Sequence, residues 1–223
     1  MITVHHLNNS RSQRILWLLE ELKVPYKIKR YERDSKTFLA PKELKDVHPL
    51  GKSPVITDGE STIAESGAIV EYLINNYGKD KISHPKEGKD YEQLIYWMHF
   101  AEGSMMPPLV MKLIFNRIKL SPMPFFIKPI AKKIANTVIK SYIDPNIKDN
   151  LNFIEAHLNK NEWFSGAQFT GADILMIFPL EAGIERIKDN SVYPMILNFI
   201  RKVQSKETYQ KALTKGGKYD FAH

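Results

Sequence analysis

Gly51-Lys-Ser-Pro-Val-Ile-Thr-Asp-Gly-Glu-Ser-Thr-Ile-Ala-Glu-Ser66 reads as strand, two-residue turn, strand and helix start. Val55 and Ile56 are a β-prone pair. Asp58-Gly59 is a type I′ hairpin signal, because both residues tolerate positive φ, and Ser61, Thr62 and Ile63 make the return strand. Glu65 and Ser66 precede Ala68-Ile-Val-Glu-Tyr-Leu73, an amphipathic pattern whose first turn leaves backbone N–H groups without intrahelical acceptors. Pro54 cannot donate to a strand ladder, which places it at an edge, a bulge or a tight turn with a cis bond. A cis bond would turn the main chain of Ser53 outward beside the helix start at Ser66, an extended docking edge next to an anion-binding terminus. That combination suits a small peptide-like ligand with a free carboxylate. On spacing alone, a plain hairpin feeding a capped helix is the simpler account.

Working outward, residues 2–7 are β-prone and suit an inner strand. After the polar turn at 8–12, Ile15, Leu18, Leu19 and Leu22 recur at helical spacing up to Pro25, with Ser12 as a candidate N-cap. Residues 26–31 form a second strand, and a charged loop with a short helix over 41–47 closes at His48-Pro49. Gly78 stops the helix that follows the hairpin. Residues 1–80 therefore read β-α-β-α-β-β-α, a mixed sheet with a parallel start and an antiparallel end. Residues 79–88 are polar and breaker-rich, so 81–88 is assigned as a linker and 89–223 as an all-helical domain. There, Leu94, Trp97, Met98, Ala101, Met105 and Met106 share one broad face until Pro107-Pro108, which is expected to interrupt the helix. The pattern resumes at Val110, Leu113, Ile114 and Ile118. Residues 120–129 carry three prolines and Phe125-Phe126, an apolar loop. A long helix spans 130–154, with a bend or break expected at Pro145. Thr170-Gly-Ala-Asp173 is a capping box leading into an apolar helix that should form the second domain's core. Short helices over 194–203 and 208–213 precede a tail at 216–223.

Composition narrows the chemistry. The 223 residues contain no cysteine, which excludes disulfides, cysteine nucleophiles, CxxC redox chemistry and thiolate metal sites. This fits a reducing compartment, and a cytoplasmic location is expected. The opening Met-Ile-Thr-Val-His-His lacks the basic flank and apolar core of a secretory signal, and no apolar run reaches transmembrane length. Histidines without spaced Cys, Asp or Glu partners imply no metal site, and neither a Walker A loop nor GxGxxG is present. The formal charge of +7 and pI near 9.3 favour anionic ligands or a membrane surface through the overall field. Lys128, Lys132, Lys133 and Lys140 make a basic stretch without a nucleic-acid reader motif, so they are read as solvated surface and no nucleic-acid partner is expected.

Four stretches, in this order and spacing, resemble the soluble glutathione transferase family over almost the full chain: Asn9-Ser-Arg-Ser-Gln-Arg-Ile-Leu-Trp-Leu-Leu-Glu-Glu-Leu22, His48-Pro-Leu-Gly-Lys-Ser-Pro-Val55, Ile63-Ala-Glu-Ser-Gly-Ala-Ile-Val-Glu-Tyr-Leu73 and Phe169-Thr-Gly-Ala-Asp-Ile174. The resemblance implies an α/β thioredoxin-like N-terminal domain followed by an all-α helical-bundle C-terminal domain. It implies that Glu65 and Ser66 hold the γ-glutamyl end of glutathione, that the backbone of Ser53 before Pro54 pairs with the cysteinyl part, and that Lys52 reaches the glycyl carboxylate. Thr170 and Asp173 match the family's folding motif.

The family places a Ser, Tyr or Cys near the end of the first strand. No Tyr or Cys lies between Met1 and Trp17, so a serine-type pattern is expected, with Ser10 as the catalytic residue and Asn9 and Ser12 as alternatives; Ser10 and Ser12 also suit simple helix capping. The implied reaction is attack of glutathione, as co-substrate, through its thiolate on a small hydrophobic electrophile. The electrophile pocket would lie between the domains at Met105, Met106, Leu109 and Val110, with Phe125 and Phe126 as one wall. A homodimer is implied by the same resemblance. A glutathione-dependent peroxidase acting on organic hydroperoxides and a non-catalytic glutathione-binding scaffold share these features.

Overall fold

Residues 2–7 alternate little and are buried at nearly every position, as a strand covered on both faces requires. They form β1 (Ile2–Leu7), with β2 (Tyr26–Tyr31) parallel on one side and β3 (Val55–Asp58) antiparallel on the other; β4 (Ser61–Ala64) completes the order β2-β1-β3-β4. This computed structural model describes residues 1–35, 37, 39–79, 81–82, 84–185, 187 and 190–222. Asp80 at the end of the assigned first domain, Ser83 of the assigned linker and His223 of the tail lie outside the described residues. The hairpin turn sits one residue later than the dipeptide signal suggests. Asp58 pairs with Ser61, so Gly59 and Glu60 are the loop residues, and only Gly59 has positive φ. That is the II′ pattern, with glycine first, rather than I′.

Helix α1 (Ser12–Glu21) and α3 (Ser66–Tyr77) lie against the sheet, and the short α2 (Leu44–Val47) closes a small separate cluster of Leu7, Tyr31 and Leu44. The helical half contains α4 (Gly88–Phe100), α5 (Met106–Leu120), α6 (Lys128–Val138), α7 (Asp144–Leu158), α8 (Gly171–Ile184), α9 (Pro194–Gln204) and α10 (Glu207–Gly216). Every residue of α8 is buried, and α8 packs on α1 and α3 as well as α4 and α9. One continuous apolar core therefore runs through both halves. The architecture is a thioredoxin-like unit followed by an all-α bundle.

The expected interruptions at Pro107-Pro108 and Pro145 do not break their helices. A π-turn precedes each: Ala101–Met105 joins α4 to α5, and Ile139–Ile143 joins α6 to α7. In these turns the N–H of Met106 bonds the carbonyl of Ala101 and that of Asp144 bonds Ile139, each five residues back. Proline is disfavoured inside a helix because its ring collides with the carbonyl four residues earlier and its nitrogen donates nothing. The wider turn lets the chain pass the prolines at the first turn of the next helix.

The capping box at the start of α8 is formed. Asp173 accepts from the backbone N–H of Thr170 at 2.8 Å and of Phe164 at 2.9 Å, and Thr170 Oγ1 accepts from Ala172 N–H at 3.3 Å. Asp173→Ala strands two buried donors, whereas Thr170→Ala loses one ordinary cap. Urea unfolding should show Asp173→Ala lowering stability by about 2–4 kcal/mol and Thr170→Ala by about 1 kcal/mol.

Candidate functional site

The β1–α1 turn, the 48–54 loop and the start of α3 meet at one edge of the sheet. They enclose a cavity of about 160 Å³ lined by Arg11, His48, Lys52, Ser53, Glu65 and Ser66, among others. The Ser53–Pro54 bond is cis, and Ser53 Oγ donates to the carbonyl of His5 at 2.9 Å. Glu65 has φ +69° and makes no side-chain cap to α3, so the first turn of α3, which reaches the cavity at Ser66, has no side-chain cap. The Ser66 side chain is 3% exposed in sum, and its Oγ has no hydrogen-bond partner among the described residues. The lining thus combines one carboxylate, two cations, an unpaired hydroxyl and the positive end of a helix. Such a set can hold a flexible ligand carrying both an ammonium group and carboxylates.

A second cavity of about 180 Å³ shares Arg11 and Ser53 with the first, and is also lined by Asn9, Ser10, Met106, Val110, Leu113 and Phe178. Its remaining wall includes Arg33, Ala182 and Phe221. The tail returns to build this wall. Asn9 donates to Asp220 at 2.6 Å and accepts from Asp220 N–H at 2.9 Å, Tyr219 donates to Glu181 at 2.7 Å, and Phe221 packs edge-on to Phe178.

The three serine-type candidates stand in different places. Ser12 is fully buried, and its hydroxyl lies 2.8 Å from Nδ1 of His6. Burial and then the charge of Arg30 push the His6 imidazole down to about 4, against a bond from the ring to the Gly216 carbonyl. The ring is therefore neutral, and one of its nitrogens shares a hydrogen bond with the Ser12 hydroxyl. Ser10 is nearly buried as well. Its hydroxyl lies 2.7 Å from the carbonyl of Leu7 and 2.7 Å from Ser12 Oγ, while accepting from Ser12 N–H at 3.2 Å. Ser10 and Asn9 line the second cavity; Ser12 does not.

Arg11 and Arg14 converge on Glu102, not on Glu20 or Glu21. Glu20 is occupied by Tyr26 and Lys215, and Glu21 by Trp17 and Thr208. Arg11 Nη1 lies 2.5 Å from Glu102 Oε2, and Arg14 Nη2 pairs with Oε1 of the same carboxylate. Glu102 projects from the first π-turn. Arg14 also donates to the carbonyl of Leu175 at 2.6 Å. That carbonyl stands four residues before Pro179, which has no N–H to give it. Burial lowers the Arg14 guanidinium from its ordinary value, opposed by Glu102; an arginine starts high enough to remain charged. For Glu102, burial raises the carboxyl, but the charges of Arg14 and Arg11 and their hydrogen bonds outweigh it and hold it below the usual range.

Of the apolar positions expected in the pocket, Met106 and Val110 line the second cavity. Met105 and Leu109 are fully buried and pack beneath Gly183 of α8, so they belong to the core. Phe125 and Phe126 lie on the α5–α6 loop, 86% and 62% exposed, and line neither cavity. The reason is length: α5 continues ten residues past Val110, carrying the loop about 15 Å away. His48, Phe178, Arg33 and Phe221 join the lining unforeseen. For the tail, the aromatic pair Tyr219 and Phe221 in an otherwise polar segment was the available signal.

Residues 1–75 match the family described as glutathione S-transferase, N-terminal domain. The chain is 36% identical to glutathione S-transferase 1 of Saccharomyces cerevisiae, with 94% of this chain and 92% of that protein covered. It is 38% identical to glutathione S-transferase 3 of Schizosaccharomyces pombe, covering 96% and 88%. Among solved structures, a glutathione S-transferase from Actinobacillus pleuropneumoniae matches at a TM-score of 0.81 and 31% identity, covering 99% of this chain and 95% of that one.

Glu102→Gln should leave Arg14 buried beside an uncharged partner. Loss of about 2–4 kcal/mol at neutral pH is expected in urea unfolding. Because the folded carboxyl titrates below its unfolded value, its contribution is full above the ordinary carboxyl range and disappears as pH falls through the folded value. The gap between wild type and Glu102→Gln should therefore close below about pH 4.

Proposed function

The chain belongs to the glutathione S-transferase family, and from that premise we propose that it binds glutathione in the first cavity, ionises its thiol and transfers the glutathionyl group to an apolar electrophile held in the second. The observation that carries the reading is Ser66 Oγ, a buried hydroxyl without a partner at the uncapped start of α3. A carboxylate there would accept from Ser66 and from the helix's free N–H groups, while Glu65 beside it suits an ammonium group. This is the charge arrangement of a γ-glutamyl end. Lys52 is assigned to the glycyl carboxylate, and the main chain of Ser53 before Pro54 to the cysteinyl unit.

Ser53 and Arg11 border both cavities, so a cysteinyl unit held at Ser53 delivers its sulfur to their junction. Ser10 is the favoured donor to that sulfur. Ser12 is withdrawn into bonds with His6 and Leu7, and the amide of Asn9 is occupied at both atoms by Asp220. A free thiol has a pKa near 8.5 and is mostly protonated at neutral pH. A hydroxyl donating to the sulfur, the charge of Arg11 and the positive end of α1 all favour the anion. The thiolate then attacks the electrophile's carbon, a C–S bond forms, and the leaving group departs with its electron pair. Met106, Val110, Leu113, Phe178 and Phe221 supply the apolar surface for that substrate.

A homodimer is part of the same reading. A groove of about 630 Å³ between α3 and α4 is lined by Ala68, Glu71, Tyr91, Leu94, Ile95 and Met98, among others. Tyr91 and Ile95 are 40% and 39% exposed there, which supports a second copy on this face.

Ser10→Ala should raise the pKa of bound glutathione, read from thiolate absorbance, by about one unit and lower kcat/KM by about tenfold or more. If both stay unchanged, Ser10 does not contact the sulfur. Ser66→Ala should weaken glutathione binding in calorimetry by about 10- to 100-fold. Assays with an aryl halide and an organic hydroperoxide separate transfer from peroxidase activity; binding without either would mark a scaffold. In sedimentation, Ile95→Asp should convert the dimer to monomer.

A further inference from the structure

The largest unexplained feature lies away from both cavities. Leu120, Phe125 and Phe126 are 81%, 86% and 62% exposed, and Ile130 and Ile134 on α6 are each 59% exposed. None belongs to a core cluster or packs against one. Among the described residues, Phe125 and Phe126 meet no aromatic ring but each other's, edge to face at 5.5 Å. Ile127, Ile130 and Ile134 fall at helical spacing on one stripe, while Ala135 and Ile139 face the bundle. A globular surface leaves large apolar side chains scattered; a contiguous row of them marks a contact.

The charge around this row is one-sided. Between Glu102 and Asp144 the chain holds six lysines and one arginine and not one aspartate or glutamate. That segment, residues 103–143, runs from within the first π-turn through α5, the loop, α6 and the second π-turn and alone carries a charge equal to the formal +7 of the whole protein. Lys128 sits beside Phe126 and Ile127 in the chain, and Lys133 next to Ile134. Both are exposed.

We infer that the α5–α6 hairpin docks on a lipid bilayer bearing anionic headgroups, with Phe125, Phe126 and the Ile130–Ile134 stripe entering the headgroup–acyl boundary and the lysines meeting the lipid phosphates. Apolar side chains bounded by cations whose stems reach along the surface are what an interfacial helix requires. A second copy of the chain is a poor occupant, because an isologous contact on this face sets one cationic segment against the other. Asp144 pairs with Lys112, but Lys128 and Lys133 beside the apolar row have no acidic residue near them in the chain. The contact is with the surface: no helix among the described residues is long and apolar enough to cross a membrane. On α5, Val110, Ile114 and Ile118 continue the row at four-residue steps, all exposed, and Val110 lines the second cavity. The docked hairpin therefore joins the bilayer to that cavity by an apolar path.

The test is cosedimentation of the full chain with vesicles of phosphatidylcholine alone or mixed with phosphatidylserine. Binding is expected to the mixed vesicles, weakly to the neutral ones, with release as salt shortens the screening length. Phe125→Ser with Phe126→Ser, and separately Lys128→Glu with Lys133→Glu, should each weaken binding by about tenfold or more. Thermal melts matching wild type show that the exposed substitutions leave the fold intact. Absence of binding to the mixed vesicles at low salt, or undiminished binding by the double phenylalanine variant, overturns the inference. So does sedimentation velocity without lipid in which wild type forms a larger assembly that the phenylalanine variant loses, since a second copy would then cover the face.

Discussion

A buried guanidinium ties the two halves of this protein together within the apolar core they share. Arg14 sits on α1 of the first domain, 1% exposed, and donates to the carbonyl of Leu175 in α8 and to Glu102 in the π-turn between α4 and α5. Each partner exists because of a proline. Pro179 leaves the Leu175 carbonyl without its helical donor, and Pro107-Pro108 coincide with the widened turn that carries Glu102. An unsatisfied carbonyl in a fully buried helix costs free energy comparable to a lost hydrogen bond, and an unpaired buried guanidinium costs more. Each defect is tolerable only with the other present. The ion pair also reaches the site, since Glu102 holds Arg11 at the boundary shared by both cavities.

Most of the fold was legible because its signals are local. The alternation of strands and helices over the first 80 residues, the hairpin, and the capping box at Thr170–Asp173 depend on near neighbours, and the order of elements followed from them. Proline was the recurrent source of error, since its effect depends on the hydrogen-bonding register of the preceding turn, which no residue type announces. Gly78 shows the same limit. It ends α3 at a helical φ of −71°, so no left-handed cap is involved; a Cβ there would lie 2.4 Å from the carbonyls of Ile74 and Ile82. The residue was readable and its reason was not.

In the site, the parts carried by contiguous motifs were legible: Ser53-Pro54, Glu65-Ser66 and the turn at 9–12. The parts assembled from distant segments were not. Glu102 lies 88 residues from Arg14, and Asp220 lies 211 residues from Asn9. Ion pairing is weakly specified by sequence separation, and nothing near Arg11 or Arg14 in the chain points to Glu102. Helical periodicity also could not divide Met105 and Leu109 from Met106 and Val110. The four share a helix, and which side meets α8 and which meets the cleft is decided by the crossing of the two helices.

The hydroxyl of Ser10 is already engaged, and this bears on how it would act on a bound thiol. To donate to sulfur it must leave the Leu7 carbonyl at 2.7 Å, a neutral bond with a net worth of about 1 kcal/mol. A neutral thiol is a weak acceptor and offers less than the carbonyl does, so the hydroxyl stays turned inward. A thiolate offers a charge-assisted bond, roughly twice as strong as a neutral one, and the exchange becomes favourable. The Leu7 carbonyl thus cancels the gain for the protonated ligand while leaving a surplus for the ionised one. A donor held by a competing acceptor therefore favours the ionised ligand by less than a free donor would, because the Leu7 bond given up is subtracted from the thiolate's gain. On the proposed reading, the surplus left after the Leu7 bond is broken is what Ser10 would add to the lowering of a bound thiol's pKa.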